Sequence, residues 1–129
     1  SRGLGDVYKT QDQVYLDGAH NPHAMLRLIE FANSLAGKRV KILFGALKRK
    51  DYSGMLQTLQ AGLPEAELIL TTFHYGEVVA QGDRQDLPYV ADYKAYIKEF
   101  MDQSRPDEVL FVTGSLYFIA EVRAFLLEG

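Results

Sequence analysis

Three short stretches of this sequence collect polar residues that could act on an anion: Asp17-Gly18-Ala19-His20-Asn21-Pro22-His23, Gly45 through Asp51, and Thr113-Gly114-Ser115. A carboxylate such as Asp17 can accept hydrogen bonds from a ribose, orient an amine, or simply tie down its own turn. His20, one residue before a helix start, can hydrogen-bond a carboxylate or phosphate, or serve its turn alone. Ser115 can cap the helix that follows it, and its hydroxyl with the nearby backbone N–H groups would also suit an anion. Lys50-Asp51 is a charged pair in a loop that follows a strand end. Asn21 is better explained as a helix cap, and His23 as an exposed first-turn residue. His74 and Tyr75 lie in a stretch without period and receive no role.

These residues need elements to hold them, and the pattern supplies them. Val14-Tyr15-Leu16 reads as a short strand. A helix then opens at Asn21-Pro22 and carries Met25, Leu28, Ile29, Ala32 and Leu35 at helical spacing, with Gly37 as its stop. Val40 to Phe44 is a second strand, Tyr52 to Gln60 a second helix, and Glu67 to Thr71 a third strand. Thr72 to Pro88 reads as a loop, with a short strand expected around Val78-Val79. Tyr93, Tyr96, Ile97, Phe100 and Met101 form an apolar helical stripe and belong to the core. Val109 to Val112 is the most apolar strand, and Leu116, Ile119, Val122 and Leu126 mark a final helix. Short apolar strands alternating with helices predict an α/β fold, a Rossmann-like three-layer α/β/α domain with a mostly parallel sheet. In such sheets ligands collect beyond the carboxyl ends of the strands. All three polar stretches are expected on that one edge.

Bulk properties narrow the function. A length of 129 residues suits one domain, and 47% apolar with 24% charged residues suits an ordinary globular protein. The net charge of −3 argues against nonspecific nucleic-acid binding. The basic cluster Lys38-Arg39-Lys41 is read as a solvated strand flank. No cysteine is present, which excludes disulfides and thiolate chemistry and fits a cytoplasmic protein. No apolar run approaches the roughly eighteen residues of a membrane span, and residues 1–5 read as a cut end rather than a signal peptide. The sequence contains no GxxxxGK[ST] phosphate loop, no GxGxxG and no GxSxG. Its three histidines lack the i, i+4 pairing of a metal site.

Asp17-Gly18-Ala19-His20-Asn21-Pro22-His23-Ala24 after an apolar strand resembles the opening of the C-terminal domain of the folylpolyglutamate and dihydrofolate synthases. Gly45-Ala46-Leu47-Lys48-Arg49-Lys50-Asp51 is similar to that family's second loop, and Val112-Thr113-Gly114-Ser115-Leu116-Tyr117-Phe118-Ile119 to its last strand-to-helix turn. Related Mur ligases of cell-wall synthesis carry similar Asp-x-Ala-His versions.

The resemblance implies that residues 1–129 form one Mur-ligase C-terminal domain of an ATP-dependent amide ligase that adds L-glutamate to a folate through an acyl phosphate. By motif, Asp17 would contact the nucleotide, His20 and Ser115 the incoming glutamate, and Lys50 an anion. A linker arginine usually reaches ATP just ahead of this domain. Arg2 is the candidate here, although its surroundings differ. Thr72-Phe73-His74-Tyr75-Gly76 lacks the arginine that many relatives carry nearby. The resemblance further implies that ATP and Mg2+ are held mainly by an N-terminal ATP- and folate-binding domain absent from this chain. The chain alone would then be inactive, and the enzyme a cytoplasmic monomer without nucleic-acid or membrane partners. The competing readings are a stand-alone nucleotide- or anion-binding α/β module and a cell-wall Mur ligase domain. Gly18 and Gly114-Ser115-Leu116-Tyr117 favour the folate branch.

Overall fold

Each of the four α-helices among the described residues begins at a side chain able to cap it. In the computed structural model, which describes residues 8–10 and 13–128, α1 (Pro22–Asn33) opens with Asn21 Oδ1 accepting from the Ala24 N–H at 2.8 Å. Asp51 Oδ1 accepts from Gly54 at 3.0 Å to open α2 (Tyr52–Gly62). Asp92 Oδ1 accepts from Ala95 at 3.0 Å to open α3 (Tyr93–Gln103). Ser115 Oγ accepts from Tyr117 at 3.1 Å to open α4 (Leu116–Leu127). Each cap satisfies an N–H that the helix itself leaves without a partner, a contribution of about 1 kcal/mol.

The strands are β1 (Tyr8–Thr10), β2 (Val14–Asp17), β3 (Arg39–Phe44), β4 (Glu67–Thr71), β5 (Tyr89–Val90) and β6 (Glu108–Thr113). They form one sheet in the order β1-β2-β6-β3-β4-β5. All neighbours are parallel except β1, which pairs antiparallel with β2. The expected α/β architecture is therefore present, with two strands that sequence periodicity does not reveal. The two-residue β5 is too short to show a period, and its place depends on partners. Thr71 Oγ1 donates to the Val90 carbonyl at 2.7 Å and the Leu70 N–H to the Pro88 carbonyl at 2.9 Å.

Alternation along the strands divides the interior in two. Tyr15, Ile42, Phe44, Leu70 and Phe111 point to one face, where they pack with Met25 and Leu28 of α1 and Met55, Leu56 and Leu59 of α2. Leu16, Leu43, Ile69, Leu110 and Val112 point to the other face, against Tyr93, Ile97 and Phe100 of α3 and Phe118, Ile119 and Val122 of α4. The stripe from Tyr93 to Met101 is core, as its spacing predicts. Among the described residues no helix is long and apolar enough to cross a membrane.

Two boundaries differ from expectation. α1 ends at Asn33, before Gly37, because Ser34 Oγ donates to the Phe31 carbonyl at 2.6 Å and diverts an acceptor from the helical ladder. Gly37, at φ 76°, instead serves the turn into β3. The strand expected near Val78-Val79 is a single antiparallel bridge between Val78 and Leu47, followed by a 3-10 turn at Gln81–Asp83.

Gly114 has φ 120°, a region that side chains rarely adopt, and a Cβ there would run into the Gly45 carbonyl oxygen. Gly114→Ala should therefore destabilise the fold by about 3 kcal/mol or more. Gly37→Ala, which has nothing within 4 Å of the added carbon, should cost only the backbone strain, about 1–2 kcal/mol. Urea denaturation of both variants checks the difference, and equal losses would show that the close approach of the two turns carries no energy.

Candidate functional site

Strand register sets the site. Asp17 on β2, Thr113 on β6 and Phe44 on β3 are direct partners across three parallel strands, so the turns that follow them start side by side. The turns are also stitched together. The Gly45 N–H donates to the Thr113 carbonyl at 3.0 Å, and the Gly114 N–H donates to the Ala19 carbonyl at 3.2 Å. The chain leaving β6 runs into α4 on one face, while the chains leaving β2 and β3 run into α1 and α2 on the other. A crevice opens at the edge of an α/β sheet where neighbouring connections part in this way.

That crevice is a cleft of about 280 Å³ lined by His20, Arg49, Lys50, Gly114 and Ser115, with Leu47, Leu116 and Tyr117 as its apolar wall. Larger hollows of about 470 and 320 Å³ lie at the opposite strand ends, around Arg39 and Glu67 and around Lys41 and Glu108. Size alone would favour them. At that end, however, Lys41 lies 3.9 Å from both Glu67 and Glu108, so charge is balanced there. Among the described residues no acidic side chain lines the smaller cleft. The smaller cleft is therefore the stronger candidate for an anionic ligand.

The structure brings three of the expected residues together there. His20 is half-buried, with Nδ1 3.0 Å from the Gly18 carbonyl. A carbonyl only accepts, so Nδ1 donates this bond and Nε2 is the ring nitrogen left over for a ligand. Ser115 is buried and spends an Oγ lone pair on its cap. Lys50 is half-buried, with its N–H donating to the Leu47 carbonyl at 3.1 Å. Asp17 stands one step back from the cleft. It is 4% exposed, and its Oδ1 accepts from the Ala19 N–H at 2.9 Å, so it anchors the turn that carries His20. Arg2 lies outside the described residues.

Several residues at this edge receive no individual role from the sequence. Arg49 lines the cleft beside Lys50. Tyr75 stacks on Tyr117 with centroids 3.9 Å apart and planes at 16°, both rings nearly half exposed. A hydrogen bond to Tyr117 holds the Tyr75 hydroxyl above the usual phenol range, and the positive charge of Arg49 opposes it. One helical turn along α4, Glu121 accepts from the His74 backbone N–H at 3.0 Å and from the Tyr93 hydroxyl at 2.8 Å, with His74 Nδ1 at 3.1 Å. This network fastens the aperiodic segment after β4 to the helix beside the cleft. Burial pushes the Glu121 carboxyl up, but the hydrogen bonds from His74 and Tyr93 outweigh it and hold the group below its ordinary range.

Comparison with known proteins gives the fold a context. The family model for the Mur ligase glutamate ligase domain matches residues 6–116. The chain is 31% identical over 132 residues to a dihydrofolate synthase/folylpolyglutamate synthase of Bacillus subtilis (strain 168), which covers 94% of this chain and 29% of that protein. It superposes with a TM-score of 0.80, at 25% identity, on a bifunctional folylpolyglutamate synthase/dihydrofolate synthase from Yersinia pestis complexed with AMPPNP and Mn, covering 97% of this chain and 31% of that one. A bifunctional enzyme of the same description with Mn, AMPPNP and L-glutamate bound gives 0.78 at 25% identity, covering 97% and 31%. The chain thus spans less than a third of the length of these relatives.

A carboxyl lowered by folding stabilises fully above its unfolded value of about 4.3 and loses that contribution as pH falls through the folded value. Glu121→Gln should therefore cost about 1–2 kcal/mol at pH 7, with the penalty shrinking below about pH 4. Urea denaturation across that range tests it. A penalty that acid leaves unchanged would mean the carboxylate charge contributes nothing.

Proposed function

The chain belongs to the Mur ligase family, through its glutamate ligase domain, and from that premise we propose that it supplies the amino-acid side of an ATP-dependent ligase joining L-glutamate to a folate. The reading is that of a folylpolyglutamate synthase, with dihydrofolate synthase activity as a companion reaction. The observation that carries it is the convergence of the His20, Lys50 and Ser115 turns on one cleft with no acidic lining among the described residues. The relatives' names point to the same substrates.

The chemistry explains why such a cleft is useful. A folate carboxylate is a poor acyl donor until its oxygen takes the γ-phosphoryl group of ATP, releasing ADP. The amine of glutamate then attacks the acyl carbon, phosphate leaves, and the nitrogen loses a proton as the amide forms. The protein has to align an amine against a mixed anhydride while excluding water. In this proposal His20 and Ser115, with the N–H groups that open α4, hold a carboxylate of glutamate, and Lys50 neutralises it. The amine is left at the cleft mouth. An ATP-binding domain closing over this edge would complete the site and shield the anhydride.

Asp17 and Arg2 are assigned to the nucleotide side, Asp17 acting as well through the turn it anchors. ATP and Mg2+ are assigned mainly to that second domain. Among the described residues no group of three or more His, Asp or Glu side chains could hold a metal ion.

The test joins this chain to its ATP-binding domain and follows folate-dependent glutamate incorporation. Asp17→Ala, His20→Ala and Ser115→Ala should each lower kcat/KM by about tenfold or more, Ser115→Ala with an additional stability loss of about 1 kcal/mol from the missing cap. Full activity in all three would remove the site assignment. The 129-residue chain by itself should release no ADP from ATP. Hydrolysis that depended on Asp17 would contradict the division of labour between the two domains.

A further inference from the structure

We propose that Arg49 is the specificity-determining residue of this cleft, selecting an amino acid by a second carboxylate on its side chain. The proposal rests on the ligase reading above and adds to it a residue that the motifs do not assign.

The pattern of charge pairing is the first support. Lys48 lies 3.7 Å from Asp83, Lys41 lies 3.9 Å from two glutamates, and Arg84 lies 2.8 Å from Asp86. Arg49 and Lys50, by contrast, take part in no ion pair among the described residues, and both line the cleft. Two cations without an ion pair thus line a hollow that has no acidic wall among the described residues. Two neighbouring cations exceed what a single carboxylate requires, particularly with the start of α4 and Ser115 already at the cleft base.

The loop that presents Arg49 is tied to residues 77–79 by three contacts, the second support. The Lys48 N–H donates to the Glu77 carbonyl at 2.8 Å, the Val79 N–H to the Ala46 carbonyl at 2.8 Å, and Leu47 bridges to Val78. A guanidinium on a fixed backbone has less freedom to lose on binding than one on a loose loop. Its charge is felt at Tyr75, which stacks on the cleft-wall residue Tyr117. Arg49 is exposed whereas Ser115 is buried, which puts Arg49 at the mouth of the cleft and Ser115 at its base.

Substrate chemistry supplies the third. Glutamate reacts through its amine, so both of its carboxylates pass through the reaction unchanged and both must be held. With one at the α4 start, the other projects along the side chain towards the mouth. A planar guanidinium fork matches a carboxylate with two parallel hydrogen bonds. Glutamine has the same shape without that charge, and would leave the cation unmatched.

The experiment uses the full-length protein that carries this domain and measures ATP- and folate-dependent incorporation of L-glutamate and, in competition, L-glutamine. Arg49→Gln is expected to raise KM for glutamate by about ten- to thirtyfold, the loss of one charge-assisted hydrogen-bonded pair, with kcat within about twofold. Preference for glutamate over glutamine should fall by the same factor, and Arg49→Lys should recover part of it by keeping the charge without the fork. Unchanged KM and preference in Arg49→Gln would overturn this inference and leave the ligase reading intact. A fall in kcat with KM unchanged would overturn it too, because selection acts on binding. A parent protein that incorporates no glutamate would instead overturn the ligase reading, and this inference with it.

Discussion

The functional edge depends on one backbone approach. The turn after β6 comes so close to the turn after β3 that Gly114 leaves no room for a side-chain carbon against the Gly45 carbonyl, and Gly45 is itself enclosed by Phe118 and Phe73. Two glycines therefore meet where two strands end. Their contact lets α4 start near the Lys50 loop, and the Gly114 N–H reaching the Ala19 carbonyl brings in the His20 turn. A larger residue at Gly114 would push these turns apart, whereas one at Gly45 would press on the core rings of Phe118 and Phe73.

Much of this organisation can be read from residue types. Helix starts at Asn21-Pro22 and Ser115 are visible because their caps are local, reaching two or three residues along the chain. The three-layer fold follows from short apolar runs separated by periodic helices, and the shared edge of the polar turns follows from parallel strands. Asp17 is legible as a residue of interest, with its role left open between ligand contact and anchoring its turn. Its bond to the Ala19 N–H shows the anchoring role.

What stays hidden depends on contacts far apart in sequence. Nothing near Tyr75 announces a partner 42 positions later, and nothing near His74 announces Glu121. The edge strand β5 exists through bonds to β4 and has no pattern of its own. Arg49 looks like a solvated loop residue because its neighbours are also basic. Its place in the cleft lining and its lack of an ion pair separate it from Lys48. Periodicity reports which side of an element is apolar, whereas pairing between distant loops reports which charges remain available.

Ser115 carries a further consequence. Its oxygen already accepts the Tyr117 N–H, so the hydroxyl is no longer an unbiased rotor. One lone pair is occupied, and the remaining hydrogen has to sweep a restricted arc. A ligand arriving at the start of α4 would meet a hydroxyl whose orientation the cap already biases. Threonine would keep the oxygen while adding a methyl to a nearly sealed position, and alanine would remove cap and donor at once. The same atom thus links the winding of a helix to the readiness of the cleft.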